Sequence, residues 1–416
     1  MTVQPTEPPP ALGPYLTDQH EALWKEADTF AAEYIGPRIA RVEAHPDRLD
    51  RTLAKLMAAR RWFAVAVPAS FGGLGGGHLD KLILNHRISR ELAAAGAILQ
   101  ASQIPTTAVT MWGTAEQRAW WLPQVADGSV LLSIASTEPE AGGHIGGIET
   151  VAERDGDGWV ITGSKAHVGN SHLAGAHLVI ARTAESGVPT SAALTAFLVE
   201  SGSKGLTLDR HRRGLGLHGF SFGQVGLDRV RVPDTARVGE VGQGSSVAQS
   251  ASILCGRSNI SAVSLGIHEA LVEVTSHNLA HRSRYGRPLS DQPVVRGRLG
   301  EMQGRLLAAR TLAYAAAFLL DQGRSCDAEL INGKYQGHAA MMRTAQDAME
   351  LHGATGLTDP VLTRLWRDAP HTYAPAGTGE VQRLRLGDAA LGEDDRSWSE
   401  HLAALNAWAP ADPAPA

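Results

Sequence analysis

The chain has 416 residues, of which 43% are hydrophobic, enough for two or three domains at a prior of roughly 150 residues each. A net charge of -5 leaves no cationic surplus and argues against nucleic acid or an anionic membrane as partner. The only two cysteines, Cys255 and Cys326, exclude a disulfide framework and a cysteine-rich metal site and suit a reducing, cytoplasmic setting. No run of about 18 apolar residues occurs, so no membrane span is expected.

In chain order, residues 1–16 are Pro-rich and polar and read as a disordered leader. Residues 17–129 repeat Ala, Leu, Trp and Phe at helical spacing, as in Leu53, Met57 and Ala58 or Ile83, Ile88 and Leu92. Residues 130–245 change texture. Short β-branched runs such as Trp159–Gly163, Leu178–Ala181, Ala196–Val199 and Val225–Leu227, separated by Gly and Asp, predict an antiparallel sheet or barrel. From 246 to 395 long helical periodicity returns, with Ser258–His281, Leu299–Gln322 and Ala328–Leu351 predicted as helices of a bundle. Residues 396–416 are read as a C-terminal helix and tail, ending in an Ala/Pro/Asp stretch that frays. The pattern is α+β: helices, strands, helices.

Chemistry concentrates in a few segments. Ser136-Thr137-Glu138-Pro139-Glu140-Ala141-Gly142-Gly143 is a rigid turn in which proline fixes the chain and two glycines let backbone approach a ligand closely. Taken alone it is as well explained by an ordinary loop. Lys165-Ala166-His167-Val168-Gly169-Asn170 follows. Further on stand Val230-Arg231-Val232-Pro233, Arg282-Ser283-Arg284-Tyr285-Gly286-Arg287-Pro288-Leu289, Glu350-Leu351-His352-Gly353-Ala354-Thr355-Gly356, Arg367-Asp368-Ala369 and Gly377-Thr378-Gly379-Glu380-Val381-Gln382-Arg383.

These segments, in this order, resemble the motifs of the acyl-CoA dehydrogenase family from about Thr17 to Leu391. The resemblance implies an N-terminal helical domain (17–129), a middle antiparallel β-barrel domain (130–245) and a C-terminal four-helix bundle (246–395). It implies FAD, with the flavin ring between the β domain and the bundle and the adenosine end meeting a neighbouring subunit, hence a homodimer or homotetramer. By correspondence, Ile134, Ser136, Thr137, Gly142, Gly143, His167, Val168 and Gly169 would meet the flavin ring. Arg282, Gly353 and Thr378 would meet the pyrophosphate or adenosine, since a cation and open amides suit a diphosphate. Gly143, Arg257 and Gly377 would border the substrate.

The sequence departs from the family where the proton is taken. The family's catalytic Glu directly precedes the Gly-Thr of the last motif; here that residue is Ala376. Some relatives carry the Glu just before an Arg on the first long C-terminal helix; here Gly256 precedes Arg257. A methyl group accepts no proton, and loss of a positioned base costs on the order of 10²–10⁴ in rate. Candidate replacements are His371, Glu380, Tyr373 and His167, which stands where the family has Trp; an imidazole titrates near neutrality. Gly169 replaces the family's Thr and is expected to open room at the flavin face. The His211-Arg212-Arg213 cluster and His352 read as structural, and His144 and His172 do not pair into a metal site on spacing.

Three functions follow. The first is a FAD-dependent oxidoreductase on an acyl thioester, carried by CoA or an acyl-carrier protein, with altered chemistry and a place in specialised acyl-chain or natural-product metabolism. It would activate the thioester carbonyl through the backbone N–H of Ala376 and pass electrons to an acceptor flavoprotein or O₂. The second is a flavin monooxygenase on the same scaffold, fed by a flavin reductase. The third is a non-catalytic flavoprotein.

Overall fold

The computed structural model describes residues 6–183, 187–393 and 398–399. The first helical region contains α1 (Asp18–Phe30), α2 (Ile39–Ala44), α3 (Arg51–Ala58), α4 (His78–Glu91), α5 (Ala93–Trp112) and α6 (Ala115–Ala126). The sheet region contains β1 (Leu132–Ala135), β2 (Val151–Asp155), β3 (Gly158–Gly169), β4 (Ala176–Arg182), the short α7 (Thr190–Ala193), β5 (Leu194–Glu200), β6 (Leu206–Leu208), β7 (Phe222–Pro233) and β8 (Arg237–Val238). Then come α8 (Gly244–Ser250), α9 (Arg257–His281), a hairpin of β9 (Ser283–Arg284) and β10 (Arg287–Pro288), α10 (Pro293–Asp321), α11 (Asp327–His352), α12 (Pro360–Asp368) and α13 (Gly379–Leu391).

Helix boundaries follow local chemistry. Thr17 and Thr114 cap α1 and α6 in capping boxes, and Asp359 accepts from Val361 N and Leu362 N at the start of α12. The first turn of α4 is capped from another region: Asp321, at the end of α10, accepts from His78 N (2.6 Å) and Leu79 N (2.9 Å). In the C-terminal part α9, α10 and α11 pack on one another, α13 lies on α11, and α4 packs against α9 and α10.

The sheet runs β6-β7-β3-β2-β4-β5-β8, with β1 added on β4. It is not wholly antiparallel and its path is open. Pairs β2–β3, β3–β7, β6–β7, β4–β5 and β5–β8 are antiparallel, but β1–β4 and β2–β4 run parallel. Long connections from β1 to β4 permit the parallel pairing, and β4 is buried over nearly its whole length, as parallel strands are. Successive residues of β5 face different cores. Leu194, Ala196 and Leu198 join the helical core, whereas Phe197 and Val199 join Trp159, Ile161, Val225 and Leu227 on the far side.

The expected leader needs correction. Pro10–Tyr15 forms a 3₁₀ turn, Leu12 is buried, and Thr6 donates to Asp28 through its N–H (2.9 Å) and hydroxyl (2.8 Å). A buried leucine and a buried acceptor hold a polar segment that composition alone marks as loose. Residues 1–5 lie outside the described residues. So does the C-terminal segment except 398–399, where Ser399 Oγ accepts from Cys326 N at 2.9 Å.

A buried ionic cluster joins the two helical regions. Glu269 on α9 accepts from Arg87 (2.7 Å) and Arg310 (2.5 Å) and contacts His86 Nε2 at 3.1 Å. Arg87 also pairs with Asp28 at 2.6 Å and lies 4.3 Å over the Trp24 ring. Burial drives the His86 imidazole down to about 4, against the pull of Glu269, so its ring is neutral near pH 7. Burial pushes the Glu269 carboxyl up, but Arg87, His86 and Arg310 together hold it well below the carboxylate range. Arg87→Met would leave Asp28 without its buried cation and Glu269 short of one. Removing one partner of such a pair costs about 3–5 kcal/mol. Urea unfolding should show that loss, and an unchanged midpoint would mean the cluster does not join the regions.

Candidate functional site

The Thr137–Gly143 turn is fixed by its own glutamate. Glu138 Oε1 accepts from Lys165 Nζ at 2.6 Å and Thr150 N at 2.9 Å, and Oε2 accepts from Glu149 N at 2.7 Å. Lys165 also donates to Ser136 O at 3.1 Å. Ala166 N donates to Thr137 O at 2.8 Å, which ties the turn to β3. Burial raises the Glu138 carboxyl, but Lys165 and the surrounding donors bring it below its usual range; burial lowers Lys165 to about 8. Both groups are charged at pH 7. Beyond the turn, Gly142 and Gly143 are exposed, and a Cβ on Gly142 would meet nothing within 4 Å. The backbone there stands open to a planar ligand.

Behind it, β3 is irregular. Its pairing with β7 shifts register between Lys165 and Val168, and His167 and Asn170 take left-handed backbone (φ 55° and 60°). The bulge turns Val168 inward to 1% exposure while His167 stays exposed, its ring 5.0 Å from Phe222. Gly169 does not leave open room as expected. A Cβ there would lie 3.0 Å from Phe220 Cζ and 3.2 Å from Ala101 Cβ, so the Phe220 ring has taken the space.

The Tyr373–Gly377 turn faces this surface from the bundle. Ala376 and Gly377 both have positive φ (59° and 96°). Their carbonyls are drawn back into the protein. Gln382 Nε2 donates to Ala376 O at 2.9 Å, and the buried Lys334 Nζ on α11 donates to Tyr373 O and Gly377 O. Burial lowers Lys334 to about 8, Arg257 lowers it further, and Glu380 opposes both. Pro375 and Ala376 form a tight turn that directs the Gly377 N–H back toward Ala374, whereas the Ala376 N–H has no partner among the described residues and is free to donate to a ligand carbonyl.

The two positions that the resemblance links to the base converge. A Cβ on Gly256 would lie 3.3 Å from Ala376 Cβ, 3.5 Å from Ile104 Cδ1 and 3.9 Å from Ser252 Cβ. The three nearest atoms are all carbon. Arg257, the next residue, is 3% exposed. Opposite, a Cβ on Gly143 would lie 3.9 Å from Val381 Cγ2 on α13, so the 137–143 turn and the 376–381 segment adjoin at the candidate cleft between sheet and bundle.

The candidate replacement bases are otherwise engaged. His371 Nε2 accepts from Gly216 N at 2.9 Å, and burial, then His218, lowers its ring below the usual imidazole value. Glu380 is exposed and accepts from the Tyr373 hydroxyl and from Arg383. His167 is stacked near Phe222 at the surface. Among the described residues no group of three metal-ligating side chains forms, and His352 Nδ1 bonds back to Ala348 O at 2.8 Å in its own helix.

Arg282 and Gly353 meet each other but not the cleft. Arg282 Nη1 donates to His352 O at 2.6 Å, and a Cβ on Gly353, whose φ is 63°, would meet nothing within 4 Å. They sit at the end of α11, about 27 Å along the helix from Lys334 at roughly 1.5 Å per residue. Thr378 stands with Ala376 at the other end, as the N-cap residue of α13. Sequence reasoning missed Lys334, Gln382, Ile104 and Phe220. Gln382 lay within a quoted motif, but a lysine inside a long amphipathic helix carries no signal that it is buried.

An exposed glycine turn beside a bulged strand, faced by a turn with an unpartnered amide, sets open backbone where the sheet meets the bundle. Family models for the acyl-CoA dehydrogenase N-terminal domain match residues 17–129, for the middle domain 133–230 and for the C-terminal domain 242–391. The chain belongs to the acyl-CoA dehydrogenase family and is a flavin oxidoreductase whose cofactor is FAD. It is 31% identical over 380 residues to an acyl-CoA dehydrogenase of Bacillus subtilis (strain 168), covering 91% of this chain and 99% of that one. Butyryl-CoA dehydrogenase from Megasphaera elsdenii superposes with a TM-score of 0.86 at 27% identity, covering 90% of this chain and 99% of that one. A glutaryl-CoA dehydrogenase from Mycobacterium smegmatis, solved in complex with FADH2, has the same fold at TM-score 0.84 and 22% identity, over 92% of this chain and 97% of that one.

Glu138→Gln keeps the shape of the side chain but leaves the fully buried Lys165 without its counter-charge. It should cost about 3–5 kcal/mol and release flavin, read as the FAD-to-protein ratio after gel filtration. Because the Glu138 carboxyl is held below 4.5 and Lys165 is lowered to about 8, the pair is intact between those limits; its acid-side contribution is lost as pH falls through the lower folded carboxyl value. The variant should lack that acid-side component. Full flavin retention by the variant would show that the pair does not hold the turn.

Proposed function

We propose that this enzyme oxidises or reduces an acyl thioester by chemistry that does not begin with a carboxylate removing an α-proton. The observation that supports this is the meeting of Gly256 and Ala376 beside Ile104 and Ser252, where the three atoms nearest a Cβ on Gly256 are all carbon. Bound FAD supplies a two-electron acceptor. Ile134, Ser136, Thr137, Gly142 and Gly143 would hold one side of its ring, with Val168 and Gly169 behind. The protein's own contribution at the reacting centre is electrostatic: the amide of Ala376 would donate to the thioester carbonyl, because Lys334 and Gln382 hold the turn's carbonyls the other way. Such a donor polarises the carbonyl without any side chain. The proton released on oxidation would then leave from a hydroxyl or through another base, and the present geometry supplies none at Ala376.

Arg282 and Gly353 lie too far along α11 to serve the same cleft, which favours a homodimer or homotetramer in which they complete a neighbouring subunit's cofactor site. Two buried, unbridged cysteines suit a cytoplasmic setting, and no described helix is long and apolar enough to cross a membrane. A place in specialised acyl-chain or natural-product metabolism accords with the missing base. The monooxygenase reading loses its motivation, because Phe220 fills the space beside Gly169.

The test is anaerobic incubation with CoA and carrier-protein thioesters, read by flavin bleaching and product mass. Turnover of a saturated acyl-CoA by wild type at the rate typical of a base-equipped enzyme would overturn the proposal. Ala376→Glu should place a carboxylate in the carbon-lined space and raise α,β-desaturation of a saturated acyl-CoA by about 10²–10⁴. Gly256→Glu enters the same space from α9 and should do likewise. If neither variant gains activity while both keep FAD, the cleft does not place an α-carbon there.

A further inference from the structure

One loop on the rim of this cleft is more cationic than the chain as a whole. Between β6 and β7 run Arg210, His211, Arg212 and Arg213, in a protein of net charge -5. The three arginines are exposed, and none has an acidic partner among the described residues. Two carboxylates, Asp209 and Asp47, lie close enough to act on His211 in this loop. Asp209 accepts from Gln224 N at 2.9 Å, and Glu43 pairs with Arg367 and His218. The three guanidinium groups within four residues outnumber Asp209 and Asp47 and leave the loop cationic.

The loop's position is fixed. Gly216 N donates to His371 and Leu217 N to Asp368 (2.6 Å), which pins the loop to the segment leading into Ala376. A few residues on, Phe220 and Phe222 join it to His167 on the opposite wall. Exposed apolar side chains adjoin the cations: Leu215 at 54%, Phe222 at 47% and Tyr373 at 37%. Guanidinium groups mixed with apolar side chains, all at the surface and none recessed, suit the face of an acidic protein better than a small nucleotide, which needs a pocket.

We infer that the Arg210–Arg213 loop is the docking surface for an acidic acyl-carrier protein that delivers the thioester into the cleft. This surface rests on the acyl-thioester reading above and adds to it the carrier and the residues that recognise it. The cations would raise the encounter rate by electrostatic steering, with Leu215 and Phe222 as the apolar contact.

The test compares the wild type with a triple charge reversal (Arg210→Glu, Arg212→Glu, Arg213→Glu) and a triple neutralisation to Gln, each checked for bound FAD and thermal midpoint. The first probe is a fluorescent acyl-carrier protein bearing a butyryl-phosphopantetheine thioester, followed by stopped-flow anisotropy, which needs no flavin chemistry. Charge reversal should slow association about 10- to 1000-fold, neutralisation should slow it less, and added salt should erase the difference. The second probes are butyryl-CoA, butyryl-dephospho-CoA and butyryl-pantetheine, whose binding should be the same in all three proteins. Unchanged carrier association in the reversed protein overturns the inference. So does a loss confined to butyryl-CoA, which would make the loop a reader of the CoA phosphate. If the carrier docks as expected but no thioester bleaches the flavin, the surface stands and the acyl-thioester chemistry proposed above falls.

Discussion

Glu269 is the point on which the arrangement of the two helical regions turns. It lies on α9 and draws Arg87 and His86 from α4 and Arg310 from α10, while Arg87 reaches on to Asp28 of α1. Buried charges are stable only when every one is matched, so these helices cannot slide or separate without stranding an ion. The consequence reaches the active cleft. The same α9 begins at Arg257, beside Gly256, and Ile104 of α5 reaches that residue from the N-terminal region. A cluster remote from the chemistry thus anchors the helix that begins beside Gly256.

The cleft itself is built mainly from backbone, and its supporting side chains point away from it. Glu138 and Lys165 hold one turn from behind, and Lys334 and Gln382 hold the other. Both arrangements leave amides and glycine surfaces facing the ligand. A site of this kind tolerates change in the side chains that reach into it, because its shape and its donors survive. On the site correspondence proposed above, this would let Ala376, Gly169 and His167 differ from the family while the turns that hold the backbone persist.

The sequence carried the long elements well. The predicted Ser258–His281 and Ala328–Leu351 differ by one residue at most from the ends of α9 and α11, because helices of this length average over local irregularity. Strand identities were legible for the same reason in β3, β4 and β5. The pairing of β1 with β4 was not, since a strand buried on both faces shows no alternation that would distinguish a parallel neighbour from an antiparallel one. Nor was the character of α4, where Lys81, Asn85, His86, Arg87 and Ser89 are all buried. Such a polar run reads as a solvated face until its partners on α1, α9 and α10 are known. At the site, the motifs marked out the turns at 137–143 and 373–377. The occupation of the space beside Gly169 by Phe220, however, depends on residues far apart in the chain and on the bulge between Lys165 and Val168.

The carbon-lined meeting point of Gly256 and Ala376 gives the strongest constraint on mechanism. Two alternative positions for one carboxylate must lie close together if either is to reach the same carbon, and a Cβ on one falls 3.3 Å from the Cβ of the other. Loss of a group at one position could be compensated from the second. Here neither position carries an ionisable side chain, and His371 and Glu380 of the neighbouring loop are hydrogen-bonded to other partners. On the function proposed above, the gap would hold a polarising amide and no base. That combination favours a substrate whose own functional group gives up the proton, since the amide can stabilise charge on the thioester oxygen but cannot take a proton from carbon.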